Sequence, residues 1–341
     1  MHFTYPMGRV ILGDAEVAKK AYDRFHAQAV DEIKLCDGKS GFSDRRTALA
    51  GEVSLTGPGT FHGKAQRTVT FAPSTDSGWW IHRADLQEQL PTLVSIRNVW
   101  TSARNIVLRS GNPHNYLRMV EHIVALRLGL GIDDLTIRVD AGDPPLFDSS
   151  SLDMMQKLRA TPVKELDEPA RYVTVREPVT VVGDRGDFLT FLPPENGEKI
   201  LRVDCAIDFN SIIGKQRIVF DVTPDIFEYG SFARTNASRM QMMTVRTVGF
   251  LFADMRNLGY TQDNILIHGK NKFYGSPRYV QPNTGKALEP VWHRATLDLL
   301  AAVALIDSGR FVGRVISYRA GHTLDVRAVT QLYAQRLLTL I

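Results

Sequence analysis

The sequence predicts an α+β protein of two domains. Clusters of short alternating strands interrupted by single helices occur twice in succession, and an acidic, Pro-containing stretch, Glu165-Leu166-Asp167-Glu168-Pro169, divides them. The length points the same way, since 341 residues exceed what one hydrophobic core usually organises. The expected units are an N-terminal helical extension over 1–45, a first α+β domain over 46–165 and a second over 170–341.

Residues 14–35 read as one amphipathic helix capped by Asp14, with Val17, Ala21, Phe25, Ala29 and Ile33 as its stripe. Strands follow at Leu49 to Leu55, Gln66 to Phe71 and Trp79 to Ile81, with a turn at Gly57-Pro58-Gly59. Asn112 and Pro113 are suited to open a helix whose buried face is Leu117, Val120, Val124 and Leu128, and Gly129 and Gly131 to close it. Leu135 to Val139 alternates as a half-buried strand, and a helix is expected near Ser151 to Leu158. Beyond the acidic stretch, strands are expected at Tyr172 to Val175, Val179 to Val182, Phe188 to Phe191, Leu201 to Phe209 and Arg217 to Val222. Thr223-Pro224 starts a helix, and Met240, Met242 and Met243 read as core filler. A strand at Ile265 to His268, a long helix from Pro290 through Val303, a strand at Phe311 to Tyr318 and a helix from Leu324 to Leu338 complete the chain.

Composition narrows the function classes. A net charge of +4 and a pI near 9.0 come from scattered Lys and Arg, with no basic run to grip a nucleic acid. Such a charge permits peripheral membrane contact at most, and no uncharged apolar run is long enough to span a bilayer. Two distant cysteines, Cys36 and Cys205, give no disulfide framework and suit a reducing compartment; with no secretory signal in view, the cytoplasm is expected.

Glu121 and His122 set a carboxylate and an imidazole side by side in apolar surroundings, where unpaired polar groups cost several kcal/mol. Two readings fit: a helix-edge pair with its tips in water, or a metal ligand with a general base beside it.

Four segments bring a resemblance to the UDP-3-O-acyl-N-acetylglucosamine deacetylase family, the zinc amidases of lipid A synthesis. They are Leu55-Thr56-Gly57-Pro58-Gly59 with Arg83-Ala84-Asp85-Leu86; Val120-Glu121-His122 with Leu130-Gly131-Ile132-Asp133 and Pro145-Leu146-Phe147-Asp148; Arg246-Thr247-Val248-Gly249-Phe250; and Ala320-Gly321-His322-Thr323-Leu324. In order and spacing they cover residues 46–330. The resemblance implies two similar domains, each a two-layer sandwich of sheet and helices, with the helices facing and the active site between them. It implies zinc held by His122, His293 and Asp298, and Glu121 as the general base for the attacking water. Thr247 is implied as a hydroxyl donor to the oxyanion, and His322 as the group that stabilises the oxyanion and protonates the leaving amine. Arg294 and Phe250 are implied to bind substrate.

The chain departs from the family in three places. The family's His and Asp ligands stand four apart on one helix, whereas His293 and Asp298 are five apart, which turns them about 140° from each other on an ideal helix. Two readings stay open: a one-residue π-bulge restores the common face, or Arg294, which cannot bind a metal, stands in the ligand's place. Ala302 occupies the position of the family's Asp that orients the catalytic His, and Asp325 is a partial substitute. The stretch Asn257 to Asp263 is short for the family's insert that forms the passage for a fatty chain. His62, His114 and His268 have no spacing that makes them replacement ligands. The expected activity is zinc-dependent deacetylation of an N-acetylated nucleotide sugar, with or without a long acyl chain. The alternative is a non-catalytic homologue that binds a sugar nucleotide or a protein partner.

Overall fold

The computed structural model describes residues 3–87, 89–247 and 258–341, apart from the side chains of 245–247. Two sheets organise it. The first has five strands in the order Val53–Pro58, Gln66–Ala72, Leu135–Val139, Trp79–Arg83, Thr92–Leu93. The second has seven, in the order Arg9–Leu12, Val179–Val182, Phe188–Leu192, Gly313–Tyr318, Leu201–Phe209, Gly214–Asp221, Glu32–Lys34. The mixed α/β architecture agrees with the α+β class.

Helices from the two halves meet between the sheets. Glu121–Val124 packs on Leu300–Ala304, while Leu126–Leu130 and Leu152–Arg159 pack on Pro224–Ser231. One apolar cluster runs through this seam, joining Val120, Val124 and Leu128 to Phe227, Leu300 and Ala304. Gly129 lies in a close contact between the halves: a Cβ there would stand 2.2 Å from the Phe227 ring, so only glycine fits.

The first forty-five residues enter the second sheet at both edges. Arg9–Leu12 adds in parallel to Val179–Val182, and Glu32–Lys34 in parallel to Ile218–Phe220. Between them runs a helix over Ala15–His26, capped by Asp14 Oδ1, which accepts the Glu16 and Val17 N–H groups. The helix is shorter than the apolar period suggests, because Glu32–Lys34 finds backbone partners at the sheet edge. Its buried face of Ala18, Ala21, Tyr22 and Phe25 covers Phe188, Ala206, Ile316 and Tyr318 on the side of the sheet away from the seam. This explains why Val179–Val182 and Phe188–Leu192 are buried at every position: both faces of these strands are covered.

Two further expectations are corrected. Asn112-Pro113 does not open a helix; Asn112 Oδ1 accepts the His114 N–H at 2.8 Å in a turn, Tyr116–Leu117 is a short strand, and the helix starts at Glu121. The acidic stretch is not a free linker: Val163–Pro169 is a strand antiparallel to Arg45–Leu49, where Arg46 pairs with Glu168 at 2.7 Å.

Under the N-terminal helix lies a buried ion pair. Arg217 reaches Asp204 through Nε at 2.9 Å and Nη2 at 2.7 Å, donates to the Phe25 carbonyl at 3.2 Å and lies 3.9 Å over the Phe25 ring. Removing one partner of such a pair strands the other charge. Asp204→Ala should therefore lose about 3–5 kcal/mol in urea unfolding, and the apolar double variant Asp204→Leu, Arg217→Met much less. A single variant as stable as wild type would contradict this account of how the extension is held.

Candidate active site

The site forms where the short helix Glu121–Val124 meets the long helix of the second half. The chain enters the first through Met119, whose φ of +52° is unusual for a residue with a side chain, and this turn directs Glu121 inward. Glu121 is 2% exposed. Its Oε1 accepts the Ile106 N–H at 2.6 Å and lies 3.5 Å from His322 Nε2, while Oε2 is buried without a hydrogen-bond partner among the described residues. Burial pushes the Glu121 carboxyl above the usual carboxylate range, and the nearby His322 opposes that rise.

His122 is next in the chain. Its Nδ1 lies 3.3 Å from Ser150 Oγ, and its carbonyl accepts from Ser151 Oγ at 2.9 Å. Burial, reinforced by His293, lowers its pKa to about 3, so the ring is neutral. The His293 ring is centred 5.4 Å away.

The long helix carries the decisive irregularity. Glu289–His293 and Leu300–Ala304 are α-helical, but Arg294–Leu299 between them is a π-helical turn. That turn takes up the additional residue between His293 and Asp298. His293 Nε2 and Asp298 Oδ1 stand 3.3 Å apart, and His293 Nδ1 donates to the Ala233 carbonyl at 2.9 Å, which fixes the ring. Burial works against charge on both partners, yet their mutual attraction prevails: His293 is raised, and Asp298, also drawn down by His322, lies below the usual range. His322, at the start of the helix His322–Ala334, closes the group with Nε2 3.7 Å from Asp298 Oδ1. His122, His293, Asp298, Glu121 and His322 thus share one cluster.

Arg294 points away from it. Nε donates to the Ala320 carbonyl at 2.8 Å and Nη2 to Asp325 at 2.6 Å, so the guanidinium braces the segment leading to His322. Asp325 is therefore engaged by Arg294, and no hydrogen bond joins it to the His322 ring among the described residues; burial pushes its carboxyl up to about 6. Ala302 is buried in the apolar core. Thr247 ends the helix Arg239–Thr247 with its side chain outside the described residues, and Phe250 lies outside them altogether. His62 and His114 are exposed, and His268 is buried at a strand end.

A cleft of about 380 Å³ opens beside the cluster, lined by Arg185, Phe209, Asn236, Arg294, Asp298 and Arg319. Sequence reasoning missed Arg185, Phe209, Asn236 and Arg319. Only Arg319 had a signal, since it directly precedes Ala320-Gly321-His322; the others come together only through the fold.

Among the described residues, no three His, Cys, Asp or Glu side chains make a closed metal-holding group. The donors nevertheless suit zinc in kind: two imidazoles, one with Nδ1 committed to a carbonyl and Nε2 turned to the cluster, a carboxylate on the same face, and a buried carboxylate oxygen without a partner beside them.

A buried carboxylate, a neutral imidazole, a His-Asp pair and a third imidazole at a helix start are the equipment of a hydrolase that moves protons near neutral pH. A family model described as UDP-3-O-acyl N-acetylglycosamine deacetylase matches residues 46–334, and the chain belongs to that family. Proteins named UDP-3-O-acyl-N-acetylglucosamine deacetylase from Brucella ovis, Brucella canis and Brucella abortus are each 26% identical to it over 288 residues, spanning 82% of this chain and 92% of the relative.

The neutral state of His122 has a consequence for stability. As pH falls below 6.5, the unfolded chain takes up a proton that the folded ring refuses until about pH 3, so acidification removes stability. In metal-free protein His122 should contribute a loss of about 1 kcal/mol per pH unit between pH 6.5 and 5, which His122→Asn should abolish in urea midpoints at the two pH values. Identical pH dependence in the two proteins would contradict a buried, neutral His122.

Proposed function

We propose that this chain is a zinc-dependent deacetylase of an N-acetylated nucleotide sugar, acting as its Brucella relatives are named to act, on a UDP-linked, 3-O-acylated N-acetylglucosamine of lipid A synthesis. The observation that carries the reading is the π turn, which sets His293 and Asp298 face to face beside His122. His122, His293 and Asp298 are the proposed ligands. When bound, zinc supplies Lewis acidity that polarises an amide carbonyl and makes water a nucleophile near neutral pH.

Glu121 takes the proton of the attacking water at its unpartnered Oε2. Its burial raises its basicity for that role. His322, 3.5 Å from Glu121, stabilises the developing oxyanion and delivers a proton to the leaving amine. Thr247 supplies a hydroxyl to the same oxyanion. Arg185 and Arg319 are the cations proposed to meet a diphosphate, beside Asp187 and Asp208 in the same lining, Phe209 offers a ring face for a base, and Arg294 keeps its proposed place as a substrate contact. Phe250 keeps its proposed place as a substrate contact.

The proposed units are a first α+β domain over 46–165 and a second over 170–341, with residues 1–45 as an extension built onto the second. Two free cysteines, and no helix long and apolar enough to cross a membrane among the described residues, are compatible with the proposed cytoplasmic location.

The rival reading is a homologue that binds a sugar nucleotide without hydrolysing it. It draws on Ala302 in place of an acidic residue and on the open spacing of the ligand group. Acetate release from UDP-3-O-acyl-N-acetylglucosamine separates the two. The wild type should turn over, and Glu121→Gln should lower kcat by about 100-fold or more, the range of a positioned general base. Turnover by the variant within about tenfold of wild type would remove Glu121 as the base. A zinc-loaded wild type without turnover would favour the binding protein.

A further inference from the structure

Of the methionines in the helix Arg239–Thr247, Met242 packs on Ile265 and Ile267, whereas Met240 and Met243 are exposed, which corrects the expectation of three core fillers. The element that bears on the site lies elsewhere, in the strand Glu32–Lys34 of the N-terminal extension. Glu32 pairs with Ile218 at the edge of the second sheet, and its side chain is 17% exposed. Three donors from three separate segments converge on its carboxylate. The Tyr229 and Tyr279 hydroxyls donate to Oε1 at 3.0 and 2.8 Å, and Trp292 Nε1–H donates to Oε2 at 2.9 Å. Lys34 answers the charge, with Nζ 3.5 Å from Oε1 and 3.8 Å from the centre of the Tyr229 ring. The Tyr229 ring stands edge to face with Tyr279 and Trp292, its centre 5.1 Å from each.

Two of these donors stand next to the cluster. Trp292, 1% exposed, directly precedes His293 in the helix Glu289–His293. Tyr229 lies in the helix Pro224–Ser231, which ends just before Ala233, and the Ala233 carbonyl accepts from His293 Nδ1 at 2.9 Å. The two helices press together at Gly230: a Cβ there would stand 2.4 Å from Thr296 Oγ1, within the π turn, and 2.7 Å from the Trp292 ring. Glu32 therefore ties the helix that carries His293 to the helix whose end orients its ring. A second tie lies close by, where Arg234 Nε donates to Glu289 at 2.7 Å, so this corner of the fold does not rest on Glu32 alone.

We propose that Glu32 is a positioning residue for His293. By accepting from Trp292 and Tyr229 it fixes the indole against the neighbouring helix, and with it the reach of His293 Nδ1–H to the Ala233 carbonyl, which leaves Nε2 turned to Asp298. Groups that orient a ligand's ring govern metal affinity almost as strongly as the ligand itself. Glu32 precedes residues 46–334, so a segment outside the family match supports a ligand that lies within it. The proposal rests on the reading of His293 as a zinc ligand, and a measurement on metal-free protein keeps the two separable.

Zinc affinity of the full chain, measured by competition with a chelator, is read beside the His293 Nδ1–H proton signal of metal-free protein. Glu32→Ala leaves three donors unanswered and should weaken zinc binding by about tenfold or more, with the proton signal lost to exchange. Glu32→Gln should restore both, since its amide oxygen can accept from the indole and its NH2 can donate to the two hydroxyls. Trp292→Phe, which keeps a ring and removes the donor, should weaken zinc binding in the same direction and carries the test if Glu32→Ala does not fold. Val69→Ala opens a cavity in the core of the first sheet; it should lower the urea midpoint and leave zinc affinity within about twofold of wild type. Glu32→Ala and Trp292→Phe both within about twofold of wild type, a Gln variant as weak as Ala, or an equal loss in Val69→Ala would each overturn the proposal. If wild type takes up no zinc, the ligand reading falls, and the proton signal alone decides for or against Glu32: its loss in Glu32→Ala and return in Glu32→Gln support the positioning role, and its persistence in Glu32→Ala overturns it.

Discussion

An additional residue inside a helix must either rotate everything beyond it or be absorbed locally as a wider turn. Here it is absorbed. The π turn at Arg294–Leu299 lets His293 and Asp298 face each other at 3.3 Å and leaves the α-helical packing on both sides intact. The same turn directs Arg294 toward Ala320 and Asp325, so the guanidinium braces the approach to His322 and does not crowd the cluster. The proposed chemistry depends on that local unwinding more than on any single side chain.

The cluster is also a study in buried charge. Glu121, His293, Asp298 and Arg294 are drawn from water into a seam of leucine, alanine and valine, where isolated charges are costly. They persist because each is answered: Asp298 by His293 and His322, Arg294 by Asp325, and Glu121 by the Ile106 N–H and His322. His122 stays neutral, which is the state a metal requires of an imidazole. The unanswered atoms, Glu121 Oε2 above all, mark where an external ligand gains most.

Much of the fold was legible because strand periodicity is strong where a sheet has one dry face. Leu135–Val139 shows this with its alternating burial, and the helix Leu152–Arg159 stands within a residue or two of its expected limits. Legibility failed where tertiary partners replaced local preference. Glu32–Lys34 left its helical period for a sheet edge, and Val163–Pro169 became a strand because Arg45 and Arg46 lie opposite its acids. At the site, the motifs named Glu121, His122, His293, Asp298 and His322, which the structure brings together, while the five-residue spacing left a π-bulge and a displaced ligand both open. Arg185 and Asn236 were not legible, because a cleft assembled from separated turns and strands leaves no periodic trace in the chain.

The convergence of His122, His293 and Asp298 is most directly tested by the zinc content of the full chain purified without added metal. The account predicts one zinc per chain, lost when Asp298 is replaced by Ala while the fold is kept. Folded wild-type protein that holds no zinc, and takes up none when it is supplied, would contradict it.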